Sequence, residues 1–346
     1  MKNHCQSLSG QVFLGEELDI VPADIRIEGG IITAIEENAK APQRWIVPAL
    51  FNAHTHLGDT VAMDCGATGD LAQLVTPPHG LKHRLLAATP RSDLIAGMRA
   101  SMAGMIAGGT FGCADFREGG KAGVTALQDA ASGLPFHPVI FGREGGECFA
   151  DGLGISSTRD VNEVEKQVAA AKKAGRKVAF HAGERDADDV DAALAYEPDL
   201  IIHATHATKK QLRFCADQEI PIAVCPRSNW TLGVTLSASH PPLSRMGELG
   251  CTVYFGTDNV MFVSPDMLSE LAFASVVYKQ HPKSLLHAAV AGSALTGTPF
   301  FIRKGARANL FVIDPAGSAV RFSRDPVQSL IKRAQSGLIC NNVFNL

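Results

Sequence analysis

Two histidines, one residue apart, stand at the end of an apolar run in the N-terminal part of the chain. The run covers residues 46–53, and His54 and His56 follow it. Side chains two residues apart in a β-strand point to the same face, so both imidazoles are predicted to project from the end of one strand. Imidazole is a frequent ligand of divalent transition metals. The pair therefore predicts half of a metal site, although an isolated His-x-His could equally be a surface pair.

Three further residues with metal-binding or acid–base side chains stand at the ends of later apolar runs. His181, His203 and Asp258 each come directly after a segment that resembles a buried strand. In a (β/α)8 barrel the active site is built at the carboxyl ends of the parallel strands. Four strand ends of this kind therefore indicate one shared centre. Asp258 by itself could also be a turn residue, since Asp and Asn favour turns.

The residues that follow two of these strand ends offer further candidates. Glu184 lies three residues after His181 and is predicted to reach a metal-bound water and transfer protons. The alternative for Glu184 is an ordinary solvated loop residue. Of the two histidines in the segment 203–206, we favour His203 for function because it follows the strand directly. His206 is expected to lie in the loop.

Strand and helix signals alternate through the middle of the chain, which predicts a parallel α/β sheet. Thr89 and Pro90 are predicted to begin a helix as its N-cap and first helical residue. The later predicted strands are residues 109–116, 136–141, 152–156, 177–180, 200–202, 222–226 and 251–257. The predicted helices include residues 89–108, 160–175 and 264–279. Because no helix pattern precedes the strand at 152–156, the third helix of the barrel is expected to be shortened or lost.

Both ends of the chain show β patterns. The runs are residues 11–14, 24–27, 31–35 and 308–313. Neither end is long enough to bury a core by itself. We therefore predict that residues 1–49 and 306–346 form one small composite β-sandwich domain, beside a barrel domain of residues 50–305.

Composition limits the classes of protein and partner. Hydrophobic residues make up 46% and charged residues 19%, and the net charge is −3. These values give no electrostatic case for nucleic acid or an anionic membrane, and no run approaches the ~20 apolar residues of a membrane span. The 8 cysteines are scattered without a Cys-x-x-Cys pair, which indicates reduced, mostly buried thiols. The first residues lack a signal-peptide pattern, so a cytoplasmic protein is expected.

Several motifs, in this order, resemble those of the amidohydrolase superfamily, in the branch of cytosine deaminase, guanine deaminase, S-adenosylhomocysteine deaminase and the triazine hydrolases. The matching segments are Pro48-x-x-x-Asn-Ala-His-Thr-His56, His181-x-x-Glu184, His203, Cys225-Pro-Arg-Ser-Asn229 with Leu232-Gly233, and Gly256-Thr-Asp258. The resemblance covers nearly the whole chain. It implies an α/β fold, a (β/α)8 TIM barrel with a small composite β-sandwich formed by both termini. Ala49 departs from the pattern, since the family usually has glycine there.

The resemblance also implies the roles of the site residues. The implied ligands of one divalent metal, zinc in preference to iron, are His54, His56, His181 and Asp258. Glu184 would shuttle a proton to the leaving group, Asp258 would accept the proton of the metal-bound water, and His203 would hydrogen-bond the developing tetrahedral centre. No lysine stands at a fourth-strand end, so a mononuclear site is expected.

The predicted function is that of a metal-dependent hydrolase that cleaves a non-peptide C–N bond, by deamination of a heterocyclic amine. The alternative is a hydrolase of a cyclic amide, or of another amide or amidine, with the same centre, and the sequence does not separate the two. A barrel that has lost catalysis and only binds a ligand is disfavoured, because every implied site residue is present.

The first loop of the barrel, at residues 77–84, and several basic or aromatic residues are candidates for shaping the pocket. These residues are Lys82, Arg117, Arg143, Arg227 and Trp230. Surface solvation is the alternative for the arginines. If several of them point inwards, the substrate is expected to bear a carboxylate or phosphate. The expected partner is a small-molecule substrate, and the sequence leaves homo-oligomerisation open.

Overall fold

The strands of the protein fall into two sheets. The computed structural model describes residues 5–65, 71–77 and 79–344. In chain order the strands are β1 (Cys5–Leu14), β2 (Asp19–Glu28), β3 (Ile31–Glu37), β4 (Trp45–Pro48), β5 (Leu50–His56), β6 (Thr110–Arg117), β7 (His137–Gly142), β8 (Gly152–Ile155), β9 (Lys177–Ala182), β10 (Leu200–His203), β11 (Ile222–Val224), β12 (Val253–Phe255), β13 (Asp258–Asn259), β14 (Leu310–Ile313) and β15 (Ile339–Val343).

Helices connect most strands of the larger sheet. They are α1 (Leu71–Leu74), α2 (Leu81–Ala88), α3 (Arg91–Ala107), α4 (Gly120–Ala131), α5 (Val164–Lys173), α6 (Asp188–Leu194), α7 (Lys209–Asp217), α8 (Pro226–Thr231), α9 (Leu243–Glu248), α10 (Met267–Val277), α11 (Pro282–Ala291) and α12 (Pro326–Arg333). Short 3-10 segments occupy Leu57–Ala62, Gly146–Phe149, Gly292–Thr296, Ala319–Phe322 and Ser336–Leu338. Among the described residues, no helix has the length and apolar character needed to cross a membrane.

The larger sheet has nine parallel strands in the order β12-β11-β10-β9-β8-β7-β6-β5-β13. Strands β5 and β6 are buried along their whole length, as expected when helices cover a parallel sheet. The chain passes directly from β12 to β13, which lie at opposite edges. Between them the Gly256 amide donates to the Val224 carbonyl at 2.9 Å, and the Thr257 amide donates to the His54 carbonyl at 3.0 Å. The sheet therefore curls back on itself as in a TIM-like barrel.

The predicted elements of this region are confirmed with small changes at their ends. Only a 3-10 segment, Gly146–Phe149, lies between β7 and β8, so the third helix is reduced as expected. The segment Gly152–Ile155 is a strand. Helix α5 begins at Val164, four residues later than predicted. The N-cap prediction for Thr89 is wrong, because Thr89 ends α2 and Pro90 precedes α3 without a side-chain cap.

The smaller sheet has six strands in the order β15-β14-β4-β1-β2-β3 and unites both ends of the chain. Strand β14 pairs antiparallel with β4, with Leu310 opposite Pro48, and β4 pairs parallel with β1. The hairpin between β2 and β3 turns at Gly29 and Gly30, whose φ values of 56° and 82° are left-handed. The apolar core of the smaller sheet includes Ile25, Ile46 and Leu310. The two ends thus share one core, while the sandwich and the domain bounds remain predictions.

The apolar run at residues 46–56 is not one strand. Its first part, β4, belongs to the smaller sheet, and its second part, β5, belongs to the larger one. Ala49 is the junction: its amide donates to the Asn309 carbonyl, and the next amide, of Leu50, donates to the Gly109 carbonyl. The prediction for the cysteines is correct only in part. All are free, but Cys5, Cys65, Cys148 and Cys340 are exposed and Cys251 is half-buried, so most of the thiols are not buried.

Candidate metal centre

The ends of three strands bring three histidines and one aspartate together. His54 and His56 end β5, His181 lies near the end of β9, and Asp258 begins β13. Nε2 of His54 lies 3.0 Å from Oδ1 of Asp258, and Nε2 of His56 lies 3.5 Å from the same oxygen. The ring centroids of His54 and His181 are 4.7 Å apart. The four side chains therefore face one small space.

Two more residues of the predicted site border the same space. His203 is the last residue of β10, and its ring centroid lies 5.7 Å from that of His54. Potential ligand atoms lie within 4.8 Å of one another in each of three groups. These groups are His54 with His181 and His203, His54 with His56 and Asp258, and Glu184 with His203 and Asp258. The sequence-predicted residues thus form one cluster.

The hydrogen bonds of His56 and His181 select their tautomers. Nδ1 of His56 donates to the Phe116 carbonyl, and Nδ1 of His181 donates to the Ile155 carbonyl, both at 3.0 Å. Because a carbonyl oxygen only accepts, the proton of each neutral ring is on Nδ1. The lone pair on each Nε2 is therefore left for another partner. In metal-binding histidines, the ring nitrogen that does not bind the metal commonly makes a hydrogen bond of this kind, which orients the ring.

Burial keeps the three candidate histidine ligands neutral. It lowers the pKa of His54 to about 4 and that of His56 to about 3. For His56 the Lys82 ammonium adds to this effect. The pKa of His181 also lies well below its ordinary value because of burial. Neutral imidazole is the form that binds metals, so the rings need lose no proton at neutral pH.

Asp258 is held ionised by its neighbours. Burial alone would raise its pKa, but the hydrogen bond with His54 and the electrostatic influence of His54, His203 and His56 together hold the pKa of the carboxyl well below its ordinary value. Its second oxygen, Oδ2, accepts a hydrogen bond from the Ser228 hydroxyl at 2.7 Å. Asp258 and His203 have φ values of 60° and 73°. Such left-handed conformations are strained for non-glycine residues and are concentrated at functional sites.

Glu184 lies beside His203 at the edge of the cluster. Oε1 of Glu184 is 3.7 Å from Nε2 of His203. Burial raises the pKa of Glu184, although His203 opposes the shift. The loop that follows His203 is held by a 2.7 Å hydrogen bond from Asn229 to Thr205. Glu184 is therefore a carboxyl group whose pKa is shifted toward the range useful for proton transfer.

The candidate pocket residues divide into two groups. Lys82 and Arg143 line the pocket together with His56, His181 and Asp258. Arg117 is buried and contacts Glu118, with NH2 2.6 Å from Oε2.

The other two candidates are engaged elsewhere. Arg227 pairs with Glu270 at 2.6 Å, and the Trp230 indole donates to the Tyr278 hydroxyl. Neither lines the pocket. His206 also lies outside the cluster, where its Nε2 bonds the Val234 carbonyl and its ring centroid lies 5.1 Å from that of His240.

Sequence reasoning missed Glu118, which contacts four basic side chains. Its carboxylate lies 3.0 Å from Nδ1 of His56, 2.8 Å from Nζ of Lys82, and 3.2 Å from Arg143, in addition to the contact with Arg117. The cations outweigh burial, and the pKa of Glu118 lies well below its ordinary value. Glu118 directly follows β6, so the strand-end pattern that identified the other site residues could have found it.

The chain is similar in sequence to known deaminases and aminohydrolases. A sequence model of the family described as adenosine deaminase matches residues 153–295. A putative aminohydrolase of Methanothermobacter thermautotrophicus is 32% identical over 95% of this chain and 94% of that protein. A putative aminohydrolase of Archaeoglobus fulgidus is 34% identical over 87% of each chain.

A solved structure supports the fold assignment. The adenosine deaminase of Xanthomonas campestris, determined with bound zinc, superimposes with a TM-score of 0.82. The superposition covers 98% of this chain and 91% of that one, at 17% sequence identity. At this identity the likeness establishes the fold of the chain alone.

Proposed function

Because the chain belongs to the amidohydrolase superfamily, among its deaminase-like, metal-dependent hydrolases, we propose that it deaminates a heterocyclic amine with one bound divalent metal. Zinc is preferred to iron. The observation that supports the proposal most directly is the convergence of His54, His56, His181 and Asp258 at the carboxyl ends of the strands. We further propose that the larger sheet is a complete (β/α)8 barrel of residues 50–305, with residues 1–49 and 306–346 as its sandwich domain.

The donor set fits such a metal. Three neutral imidazoles and one carboxylate are ligands that zinc prefers. In our proposal His54, His56, His181 and Asp258 are the ligands, with His56 and His181 oriented through their Nδ1 hydrogen bonds to backbone carbonyls. When bound, the metal supplies a nucleophile at neutral pH, because it lowers the pKa of a water.

The residues around the metal would move the protons. In this proposal Asp258, which is ionised and accepts a hydrogen bond from Ser228 at its other oxygen, would accept the proton of the attacking water. Glu184, whose pKa is raised by burial, is placed to deliver a proton to the departing amine. His203 would hydrogen-bond the oxygen of the tetrahedral centre, where charge develops in the transition state.

A screen for ammonia release tests the proposal. Zinc-loaded protein is assayed against aminopurines, aminopyrimidines, aminopterins and aminotriazines, with a parallel panel of cyclic amides followed by ring opening. We expect ammonia from at least one heterocyclic amine and none after chelation of the metal. Ring opening of a cyclic amide without deamination would replace the proposal by the alternative C–N hydrolase. Inactivity on both panels by protein with full metal content would refute it.

A further inference from the structure

Lys82 is a buried lysine that faces the metal centre from the first loop of the barrel. It lies in α2, is only 2% exposed, and lines the pocket with His56, His181 and Asp258. Burying an ammonium is unfavourable unless it is paired with an anion. A lysine in this position therefore calls for an explanation beyond packing.

Two carboxylates hold the ammonium group in place. Nζ of Lys82 lies 2.8 Å from Oε1 of Glu118 and 3.0 Å from Oδ2 of Asp59. The same oxygen of Glu118 lies 3.0 Å from Nδ1 of His56. Lys82 is therefore tied both to the second strand of the barrel and to a candidate metal ligand. Its head group has little freedom to retreat from the pocket.

The ammonium retains capacity for a third partner. A lysine carries three N–H donors, and within the described part of the chain the carboxylates of Glu118 and Asp59 are its two ion-pair partners. The third N–H of the Lys82 ammonium is therefore available for a partner in the pocket that Lys82 lines. A charge-assisted hydrogen bond to a ligand oxygen would satisfy it.

Neutralisation of Glu118 does not explain the lysine. Glu118 already accepts from Arg117 at 2.6 Å and from Arg143 at 3.2 Å, so three cations surround one carboxylate. Burial raises the pKa of Asp59 to about 7, which weakens Asp59 as a counter-charge at neutral pH. Asp115 pairs with Arg117 at 3.4 Å, so Lys82 and Arg143 are the two cations of this group that line the pocket.

We propose that Lys82 is a specificity-determining residue whose ammonium donates a hydrogen bond to an oxygen acceptor on the substrate. The acceptor is a ring oxo group or a carboxylate on the heterocycle, on the side of the pocket that faces Glu118. The inference rests on the proposed deaminase function and refines its substrate class. Asp59 and Glu118 are positioning residues that hold Lys82 toward the pocket.

Matched probes that differ by one acceptor group test this role. Zinc-loaded protein is titrated calorimetrically with cytosine against 4-aminopyrimidine, and with guanine against 2-aminopurine, for the ring oxo group. A third pair, 4-aminopyrimidine-5-carboxylate against 4-aminopyrimidine, tests the carboxylate. For any probe that is turned over, kcat/KM replaces Kd. We expect at least one oxygen-bearing member to be preferred by roughly tenfold or more, as for a charge-assisted hydrogen bond.

Substitution of Lys82 then separates recognition from structure. Lys82→Met should bring the preferred ratio to about one while metal content stays normal, and the exposed Lys304→Met should leave the ratio unchanged. Because Lys82→Met leaves Asp59 without its cation, Lys82→Met/Asp59→Asn, which removes both charges, is measured in parallel. If Lys82 were only structural, both members of each pair would weaken equally and the ratio would persist.

The outcomes distinguish this inference from the proposed function. If the wild-type protein releases ammonia but shows no oxygen preference, or binds no oxygen-bearing probe, the role of Lys82 is overturned while the proposed deaminase function stands. A preference that survives in both Lys82 variants also overturns it. An oxygen preference that depends on Lys82 supports the inference even if the ammonia screen fails, because binding is measured without turnover.

Discussion

The Ser228 hydroxyl donates a 2.7 Å hydrogen bond to Oδ2 of Asp258, while Oδ1 of the same carboxylate lies 3.0 Å from Nε2 of His54. Ser228 comes from α8, directly after the seventh strand of the barrel. The Ser228 side chain therefore fixes the orientation of a carboxylate that faces the candidate metal-binding histidines and is proposed to accept a proton.

Ser228→Ala should lower activity without removing the metal. Loss of the hydrogen bond frees Asp258 to rotate, and loss of such supporting contacts typically reduces activity by ~10–100-fold. Steady-state kinetics and metal analysis on the same preparation provide the measurement. The exposed Ser239→Ala serves as control. Unchanged kcat in Ser228→Ala would show that His54 alone holds the carboxylate.

The isolated protein should contain about one zinc or iron ion per chain. The prediction follows from the closeness of His54, His56, His181 and Asp258 and from Ser156, not lysine, following the fourth strand of the larger sheet's barrel order. Inductively coupled plasma analysis of protein reloaded after chelation gives the stoichiometry. Two tightly bound ions per chain would contradict the mononuclear centre, and none would contradict the centre itself.

Glu184→Gln should separate proton transfer from metal binding. The glutamine keeps the size of the side chain but cannot exchange a proton, so kcat should fall by ~10²–10⁴ with normal metal content. His181→Ala should lose both metal and activity. If Glu184→Gln instead loses its metal, Glu184 is a ligand. Near-native turnover of Glu184→Gln would show that another group transfers the proton.

The metal-free protein should lose stability as the pH falls below neutrality. The pKa of His54 is lowered from 6.5 to about 4 in the folded state, so the unfolded chain binds more protons in this range. The contribution of His54 is therefore present above pH 6.5 and is lost as the pH falls toward 4. Thermal unfolding between pH 4 and 8 after chelation measures the effect.

A matched pair of variants identifies the source of this pH dependence. His54→Gln cannot be protonated at this position, so its melting temperature should fall less steeply with decreasing pH than that of the wild type. The exposed His79→Gln should follow the wild-type curve. Parallel curves for wild type and His54→Gln would assign the acid sensitivity to other groups.

Leu310→Ala should destabilise the N-terminal strands from the other end of the chain. Leu310 is fully buried and pairs with Pro48 across β14 and β4, so the cavity should cost about 2–5 kcal/mol. Hydrogen exchange should show faster exchange in β1 and β4, including Val12 and Ile46. Leu236→Ala, at a position that is 78% exposed, is the control. Unaltered exchange in β1 and β4 would show that the two ends are stabilised independently.

The sequence by itself predicted which residues lie together at the candidate centre. His54, His56, His181, His203 and Asp258 could be identified because each stands at the end of an apolar run, and parallel strands in a barrel end at the same face. The reduced third helix was also readable, since the residues between β7 and β8 lack a helical pattern. Local spacing was sufficient in these cases because the end of an apolar run marks the strand end, and strand alternation decides the face to which each side chain points.

Only the tertiary structure decided which basic residues face the centre. In the sequence Lys82, Arg117, Arg143, Arg227 and Trp230 were equivalent candidates, yet the orientation of each side chain depends on a distant partner. Arg227 is held by Glu270 and Trp230 by Tyr278, so neither lines the pocket. Lys82 and Arg143 meet at Glu118 beside His56.

The division of residues 46–56 between two sheets likewise depends on the tertiary structure. The apolar pattern is continuous through the run, so nothing local marks its end. The break at Ala49 is set by β14 on one side and β6 on the other, whose positions depend on segments far away in the chain. Long-range pairing of this kind has no local signature, because the same apolar residues satisfy either sheet.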